Sequence, residues 1–146
     1  MKIKNIFDIA GRAMAAQMVR LNTISSNLAN AGATTGDPET VYKPLKPEFK
    51  TQYSENVKKN GISTVNVSKV VELQKEPFKI FDPNHPLADG DGYIYKAPIN
   101  VEEEMVDMMD ASRQYQNNVE VVTTLKALTL KTINLGCLLY TSPSPR

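Results

Sequence analysis

Several residue types are scarce in this 146-residue chain, and each scarcity narrows the possible functions. The sequence contains no tryptophan, one histidine (His85) and one cysteine (Cys137). One cysteine excludes an intrachain disulfide, and one cysteine with one histidine cannot complete a structural zinc site. The formal net charge is only +1, which gives no indication of a nucleic-acid partner or of an anionic membrane surface.

Long hydrophobic runs are also missing. No stretch of about 18 apolar residues is present that could cross a bilayer, so we expect no direct membrane insertion. The N-terminus carries Lys2 and Lys4, but Asp8, Gly11 and Arg12 interrupt the apolar segment that a secretory signal peptide requires. We therefore expect no cleaved signal peptide, and export from the cytoplasm would need another route.

Sequence motifs for catalysis are absent as well. There is no Gly-x-Ser-x-Gly, no glycine-rich phosphate loop and no His-Glu-x-x-His. The one candidate site is the run Asp82–Tyr93, where His85 lies among carboxylates, but an EF-hand beginning at Asp89 would place Ile94 where glycine is required. We interpret the run as tight turns between strands and predict no catalytic, cofactor or metal site. An enzyme centred on His85 is the alternative.

What the chain does contain is a long heptad pattern near its C-terminal end. Asn100 is a predicted N-cap, with Glu103 spaced for a capping box, and Glu102 to Glu104 suit the positive end of a helix dipole. This start, and Gly136 as a stop, predict a helix over Val101–Leu135. Apolar or small residues recur along it at spacings of three and four: Met105, Met108, Ser112, Tyr115, Val119 and Val122, continuing through Leu125 and Leu128.

A similar pattern occupies the N-terminal end, where a proline-free helix is predicted from Met1 to Ala31. Its repeating positions are Phe7, Ala10, Met14, Gln17, Leu21, Ile24, Leu28 and Ala31. We expect the two terminal helices to pair as a coiled coil. Periodicity alone leaves open a second interpretation, two amphipathic helices of an ordinary bundle.

The middle of the chain is punctuated by proline and rich in β-formers, so it predicts a small β element. The predicted fold is thus mainly α with a short β-rich insertion. Its domains are 1–31 plus 100–136 for the coiled coil, 32–99 for the insertion and 137–146 for a tail interpreted as non-native. The predicted pieces of the insertion are a loop over Gly32–Pro47, short extended segments at Val41–Lys43 and Phe49–Tyr53, and strands at Ile62–Leu73, Phe78–Phe81 and Tyr93–Tyr95.

Several of these segments resemble one known family. Residues 26–31, Ser-Asn-Leu-Ala-Asn-Ala, resemble the N-terminal signature of bacterial flagellar axial proteins, and 111–121 with 130–136 resemble the C-terminal signature. The run 82–94 and the long loop 34–43 are similar to the proximal-rod member of that family rather than to other rod or hook proteins. After Gly136 the sequence departs from the family pattern.

The resemblance implies a structural, non-enzymatic subunit of the flagellar basal-body rod. Such a subunit is exported by the flagellar type III apparatus without a cleaved signal and assembles helically in the periplasm to transmit torque. Its partners would be copies of itself, other rod proteins and the export apparatus, with no cofactor and no nucleic acid. The alternatives are another rod or hook protein, or a cytoplasmic coiled-coil adaptor.

The resemblance also implies that helix-face residues form an assembly interface. Asn27 and Asn30 are expected to cap and cross-bond where the first helix ends. The expected interface residues are Phe7, Met14, Leu21, Ile24, Asn27, Leu28, Asn30, Met105, Met108, Tyr115, Val119, Val122 and Leu125.

Overall fold

Two long helices flank a small antiparallel β region in the computed structural model. The structure describes residues 3–52 and 64–139, with side chains at 5–50 and 65–135. The predicted fold class, mainly α with a β element, is therefore confirmed. The elements in chain order are α1 (Ile3–Asn30), β1 (Thr34–Thr35), β2 (Leu45–Gln52), β3 (Thr64–Glu72), β4 (Phe78–Phe81), β5 (Tyr93–Lys96) and α2 (Val101–Leu139).

The start of α2 follows the prediction, but its end does not. The Asn100 Oδ1 atom accepts hydrogen bonds from the backbone N–H groups of Glu102 (3.1 Å) and Glu103 (3.4 Å), which confirms the N-cap. Among the described residues the Glu103 side chain makes no return bond, so only half of the capping box forms. The predicted stop at Gly136 is wrong, because α2 continues to Leu139. Glycine costs a helix only about 1 kcal/mol and, unlike proline, keeps its N–H donor.

The strands form two separate sheets. Strands β2 and β3 make an antiparallel hairpin in which Leu45 pairs with Glu72. The connection between the two strands, residues 53–63, lies outside the described residues. It includes the end of the predicted segment Phe49–Tyr53 and the start of the predicted strand Ile62–Leu73. Strands β1, β5 and β4 form a three-stranded sheet in that order. The strands predicted at Phe78–Phe81 and Tyr93–Tyr95 are confirmed.

The predicted loop Gly32–Pro47 is partly wrong. Strand β1 pairs within it, β2 begins at Leu45, and the extended segment expected at Val41–Lys43 forms no strand. Pro47 is tolerated in β2 because a two-stranded hairpin has only edge strands, where a missing N–H donor leaves no partner unsatisfied.

The run after β4 is a chain of tight turns, as predicted. The Asp89 Oδ1 atom accepts hydrogen bonds from the N–H groups of Tyr93 (2.8 Å) and Asp91 (3.0 Å). The Tyr93 bond is the main reason that the pKa of Asp89 lies below its ordinary value of 3.8. His85 Nδ1 accepts the Leu87 N–H at 3.1 Å. Within the described residues no group of three or more His, Cys, Asp or Glu side chains is arranged to hold a metal ion.

The core lies where α1 ends and α2 begins. Ala31, Val41, Ala97 and Ile99 form a buried cluster, against which the rings of Tyr42 and Tyr95 pack. This cluster joins the ends of both helices to the β region. In the described part of the chain, no helix is long and apolar enough to cross a membrane.

Candidate assembly interface

The two helices lie side by side in opposite directions, and polar side chains define their register. Three hydrogen bonds join the helices, and as the residue number of the bonded residue rises on α2 it falls on α1, so the pair is antiparallel. The bonds are Asn27 Nδ2 to Glu104 Oε1 (3.1 Å), Arg20 Nη2 to Asp107 Oδ1 (3.1 Å) and Gln17 Nε2 to Gln114 Oε1 (2.9 Å). Arg20 Nη1 also lies 3.6 Å from Asp110 Oδ2, so one guanidinium bridges two carboxylates of α2.

Asn27 is the polar centre of the interface between α1, β2 and α2. Its side chain is 2% exposed. The amide nitrogen donates to Leu45 O (3.0 Å) and to Glu104, while Oδ1 accepts from Leu45 N–H (2.8 Å) and from the Tyr42 hydroxyl (3.1 Å). Two donor and two acceptor bonds use the full capacity of an asparagine amide. Asn27 therefore bonds α1 to other elements of the same chain, and its expected part in the assembly interface stays a prediction.

Asn30 acts more locally. Its side-chain Nδ2 donates to the backbone oxygen of Ser26 at 2.8 Å, and its backbone carbonyl accepts the Ala33 N–H at 3.0 Å. Because these bonds stay at the end of α1, Asn30 closes the helix, whereas Asn27 ties it to other elements.

The Glu104 carboxylate is half-buried beside Asn27. Burial raises the pKa of Glu104 above its ordinary value of 4.5, and the Asp107 and Glu103 carboxylates raise it further. The Asn27 hydrogen bond and the charge of Lys75 act in the opposite direction. The ionised form of Glu104 is thus less favourable in the folded chain than in the unfolded one.

We expect Glu104→Gln to raise the free energy of unfolding at neutral pH relative to Glu103→Gln. Because the pKa of Glu104 is higher in the folded chain, the folded state binds more protons, and stability falls as pH rises through the interval above 4.5. Glutamine keeps an Oε1 atom for the Asn27 bond and removes this loss. Urea unfolding across this pH range measures the effect.

Glu103→Gln is the matched control, since Glu103 is exposed in the same helical turn. Both variants lose the interaction with the helix dipole, so their difference isolates the burial of Glu104. Parallel stability profiles for the two variants against pH would contradict the prediction.

The expected interface residues differ in their exposure. On α1, Ile24 and Asn27 are buried, and the other expected residues are half-buried. On α2, Tyr115, Val122 and Leu125 are half-buried, whereas Met105, Met108 and Val119 are exposed. The half-buried residues of this set on α1 are Phe7, Met14, Leu21, Leu28 and Asn30.

The shielded face of α2 has a heptad spacing of its own. The residues at this spacing are Glu104, Asp107, Ala111, Tyr115, Asn118, Val122, Leu125 and Thr129, and Asp110 and Ser112 beside them are also half-buried. In the first half of α2 this face is displaced by one position from the predicted seam. Apolar periodicity finds Tyr115, Val122 and Leu125 but misses the beginning of this face, because Glu104 and Asp107 are polar and their partners lie on the other helix. The available signal was charge: Asp107 and Asp110 on one helix match Arg20 on the other.

Comparisons to known proteins place the two helices in one class of protein. The family model described as flagella basal body rod protein matches residues 7–36, which include most of α1. The model described as the C-terminal region of flagellar basal body rod FlgEFG proteins matches residues 91–135, which include β5 and most of α2. Both models describe flagellar basal-body rod proteins. Their matches fall mainly on α1 and α2, the two helices that pair.

Full-length relatives narrow the class. The chain is 43% identical to the flagellar basal-body rod protein FlgC of Salmonella typhimurium and to that of Escherichia coli O157:H7, and 40% identical to that of Yersinia enterocolitica. Each match spans 136 residues, 93% of this chain and 99% of the relative. The chain therefore belongs to the FlgC family of flagellar basal-body rod proteins, and the resemblance found in the sequence is confirmed. Proteins of this family are structural rod components, not enzymes.

Proposed function

We propose that this chain is a subunit of the proximal flagellar rod that assembles helically through the faces of its helix pair and transmits torque. Other rod proteins and further copies of the chain would be its neighbours. The observation that carries the proposal is an exposed apolar stripe on α2 in a chain of the FlgC family. The stripe, called the outer stripe below, consists of Val101, Met105, Met108 and Val119.

The outer stripe has the spacing of a helix-packing seam but no partner within the described residues. Its members are separated by three, four and eleven positions, so they share one side of α2 next to the face that meets α1. Exposed apolar surface rimmed by polar residues often marks an interaction site. We infer that α2 uses one face for α1 and the adjacent face for a neighbouring subunit, as in a coiled-coil assembly.

The half-buried interface residues have a different proposed role. Leu21, Leu28, Tyr115, Val122 and Leu125 pack within the helix pair and so hold the outer stripe in position. From this division we propose a helical domain of residues 1–31 plus 100–136 and a β-rich insertion at 32–99.

We further propose export through the flagellar type III apparatus in a partly unfolded form. Five of the nine buried apolar residues in the described structure are alanines, and no large side chain there is fully buried. Burying few large side chains provides little hydrophobic stabilisation, since a fully buried Leu or Phe contributes roughly 1.5–3 kcal/mol. A monomer of low stability is easily unfolded for transport and gains stability when neighbours cover its exposed surface.

Secretion from a flagellated host that lacks its own FlgC protein tests this proposal. We expect the full chain to reach the culture medium or the rod only when the export gate works, and to restore swimming. The host's own FlgC protein, expressed from the same promoter, controls for the expression system. Retention of soluble, intact chain with and without the gate, while the control is exported, would favour a cytoplasmic coiled-coil adaptor instead.

A further inference from the structure

We propose that two free copies of this chain pair through the outer edge of strand β4, in an antiparallel arrangement that joins their three-stranded sheets. The contact is centred on Ile80, which lies opposite Ile80 of the second copy. The inference concerns the chain before it enters a larger assembly, so it goes beyond the proposed rod function and does not rest on it.

The outer edge of β4 has no partner within the described residues. In the sheet order β1, β5, β4, strand β4 (Phe78–Phe81) is an edge strand. Among the described elements it contacts β5 alone. All four of its residues are exposed, with Phe78 at 53%, Ile80 at 42% and Phe81 at 64%. An apolar edge strand with unpaired backbone groups is a template for pairing with another strand.

The hydrogen bonds to β5 determine which backbone groups of β4 face outward. The Asp82 N–H donates to Gly92 O at 3.0 Å, one position beyond the last residue pair of the two strands. Hydrogen-bonded and non-hydrogen-bonded pairs alternate in an antiparallel ladder, so Ile80 bonds β5 whereas Lys79 and Phe81 do not. The N–H and C=O groups of Lys79 and Phe81 therefore point to the outer edge.

Lysine on an edge strand usually opposes such pairing, but the Lys79 side chain is drawn inward. Its Nζ atom lies 3.9 Å from the centre of the Tyr93 ring and 5.9 Å from that of Tyr95, both on β5. A cation over an aromatic face is attracted by the ring. The ammonium group thus lies over the sheet, and it leaves the outer edge of β4 open to a second strand.

Two prolines limit the length of the open edge. Pro77 lies directly before β4, and Pro83 lies two positions after its last residue. Proline lacks the N–H donor that a ladder needs, so a second strand can pair only along residues 78–82. An edge this short accepts one partner strand of similar length.

The order of the side chains selects a second copy as that partner strand. Because Lys79 and Phe81 face outward, an antiparallel copy pairs Lys79 with Phe81 and Ile80 with Ile80. No like charges then lie opposite each other. Centring the pair on Lys79 would place two lysines opposite each other, which is destabilising, and centring it on Phe81 would place Lys79 opposite Pro83. The register centred on Ile80 avoids both.

The contact has two-fold symmetry, because exchanging the two copies reproduces the same residue pairs. An isologous contact closes after two copies, whereas a growing helical assembly requires a heterologous contact. The β4 pair is therefore a closed dimer of the free chain. A contact of about five residues a side is much smaller than the about 20–30 residues a side of a stable interface, so the dimer is weak and dissociates readily.

Sedimentation of the full-length chain with substitutions at Ile80 tests the pairing. Ile80→Glu and Ile80→Lys each replace an apolar pair with a like-charge pair, and each should raise the dimer dissociation constant about tenfold. Mixing the two variants brings opposite charges together and should restore the dimer as a heterodimer. Val65→Glu is the matched control, since Val65 is exposed to a similar extent (43%) on β3 of the other sheet, and it should leave dimerisation unchanged.

Disulfide formation locates the contact. In a Cys137→Ser background, Ile80→Cys should crosslink with itself, because a non-hydrogen-bonded antiparallel pair has Cα atoms about 4.5 Å apart, within the disulfide range. Phe78→Cys is the control on the same face of the same strand. Two copies of residue 78 would be offset by about 13 Å along the strands, so this variant should not crosslink. The product for Ile80→Cys should be a single dimer without a ladder.

The outcomes distinguish this inference from the proposed function. A parent chain that stays monomeric at all concentrations, equal crosslinking at both positions, or a mixture of charge variants that forms no heterodimer would overturn the β4 dimer and leave the rod function standing. A chain that dimerises through β4 but is neither exported nor incorporated would overturn the rod function and leave this inference standing.

Discussion

Replacing Asn27 with leucine is expected to lower the free energy of unfolding by about 3 kcal/mol, because it leaves buried polar groups without partners. Leucine has a similar volume but cannot pair the Leu45 N–H and C=O groups, the Tyr42 hydroxyl or the Glu104 carboxylate. All three elements that meet at Asn27 lose a contact at once. Urea denaturation of the full chain, followed by circular dichroism, measures the loss.

Asn27→Asp is the informative comparison. Aspartate keeps the Oδ1 acceptor for the Leu45 N–H but loses the donor bonds and adds a second negative charge beside Glu104. Its stability should therefore recover towards acidic pH, whereas that of the leucine variant should not. A leucine variant within about 0.5 kcal/mol of the parent chain would contradict the central role of Asn27.

Replacing Ala111 with leucine is expected to cost about 2 kcal/mol and to abolish swimming in the complementation assay. Ala111 is 0% exposed and lies on α2 between Asp107 and Gln114, both of which bond α1. A larger side chain there must push the helices apart, which would lengthen the Arg20–Asp107 and Gln17–Gln114 bonds. The displaced helix pair would then misplace the outer stripe.

Ala127→Leu is the matched control for this change. Ala127 lies on the same helix but is exposed, so the substitution alters helix propensity equally without overpacking. We expect the control to stay within about 0.5 kcal/mol of the parent chain and to support swimming. Equal losses for the two variants would show that propensity, not packing against α1, sets the cost.

Local signals in the sequence were sufficient for most of the secondary structure. The N-cap at Asn100, the proline-free pattern of α1 and the β-rich strand at Phe78–Phe81 each depend on neighbouring residues, and all are found in the structure. The turn at Asp89 follows for the same reason, since its side chain bonds N–H groups only two and four positions away. The family signatures are likewise continuous segments.

The sequence by itself thus determined the class of fold, both helices and the family, whereas the tertiary structure decided which face of α2 meets α1. Apolar periodicity selected Met105 and Met108, but the helices pair through Glu104, Asp107 and Ala111 instead. The physical reason is that a buried polar residue is favourable only when its partner is in place. For Glu104 that partner is Asn27, 77 positions away along the chain, so only the folded structure could identify the pair.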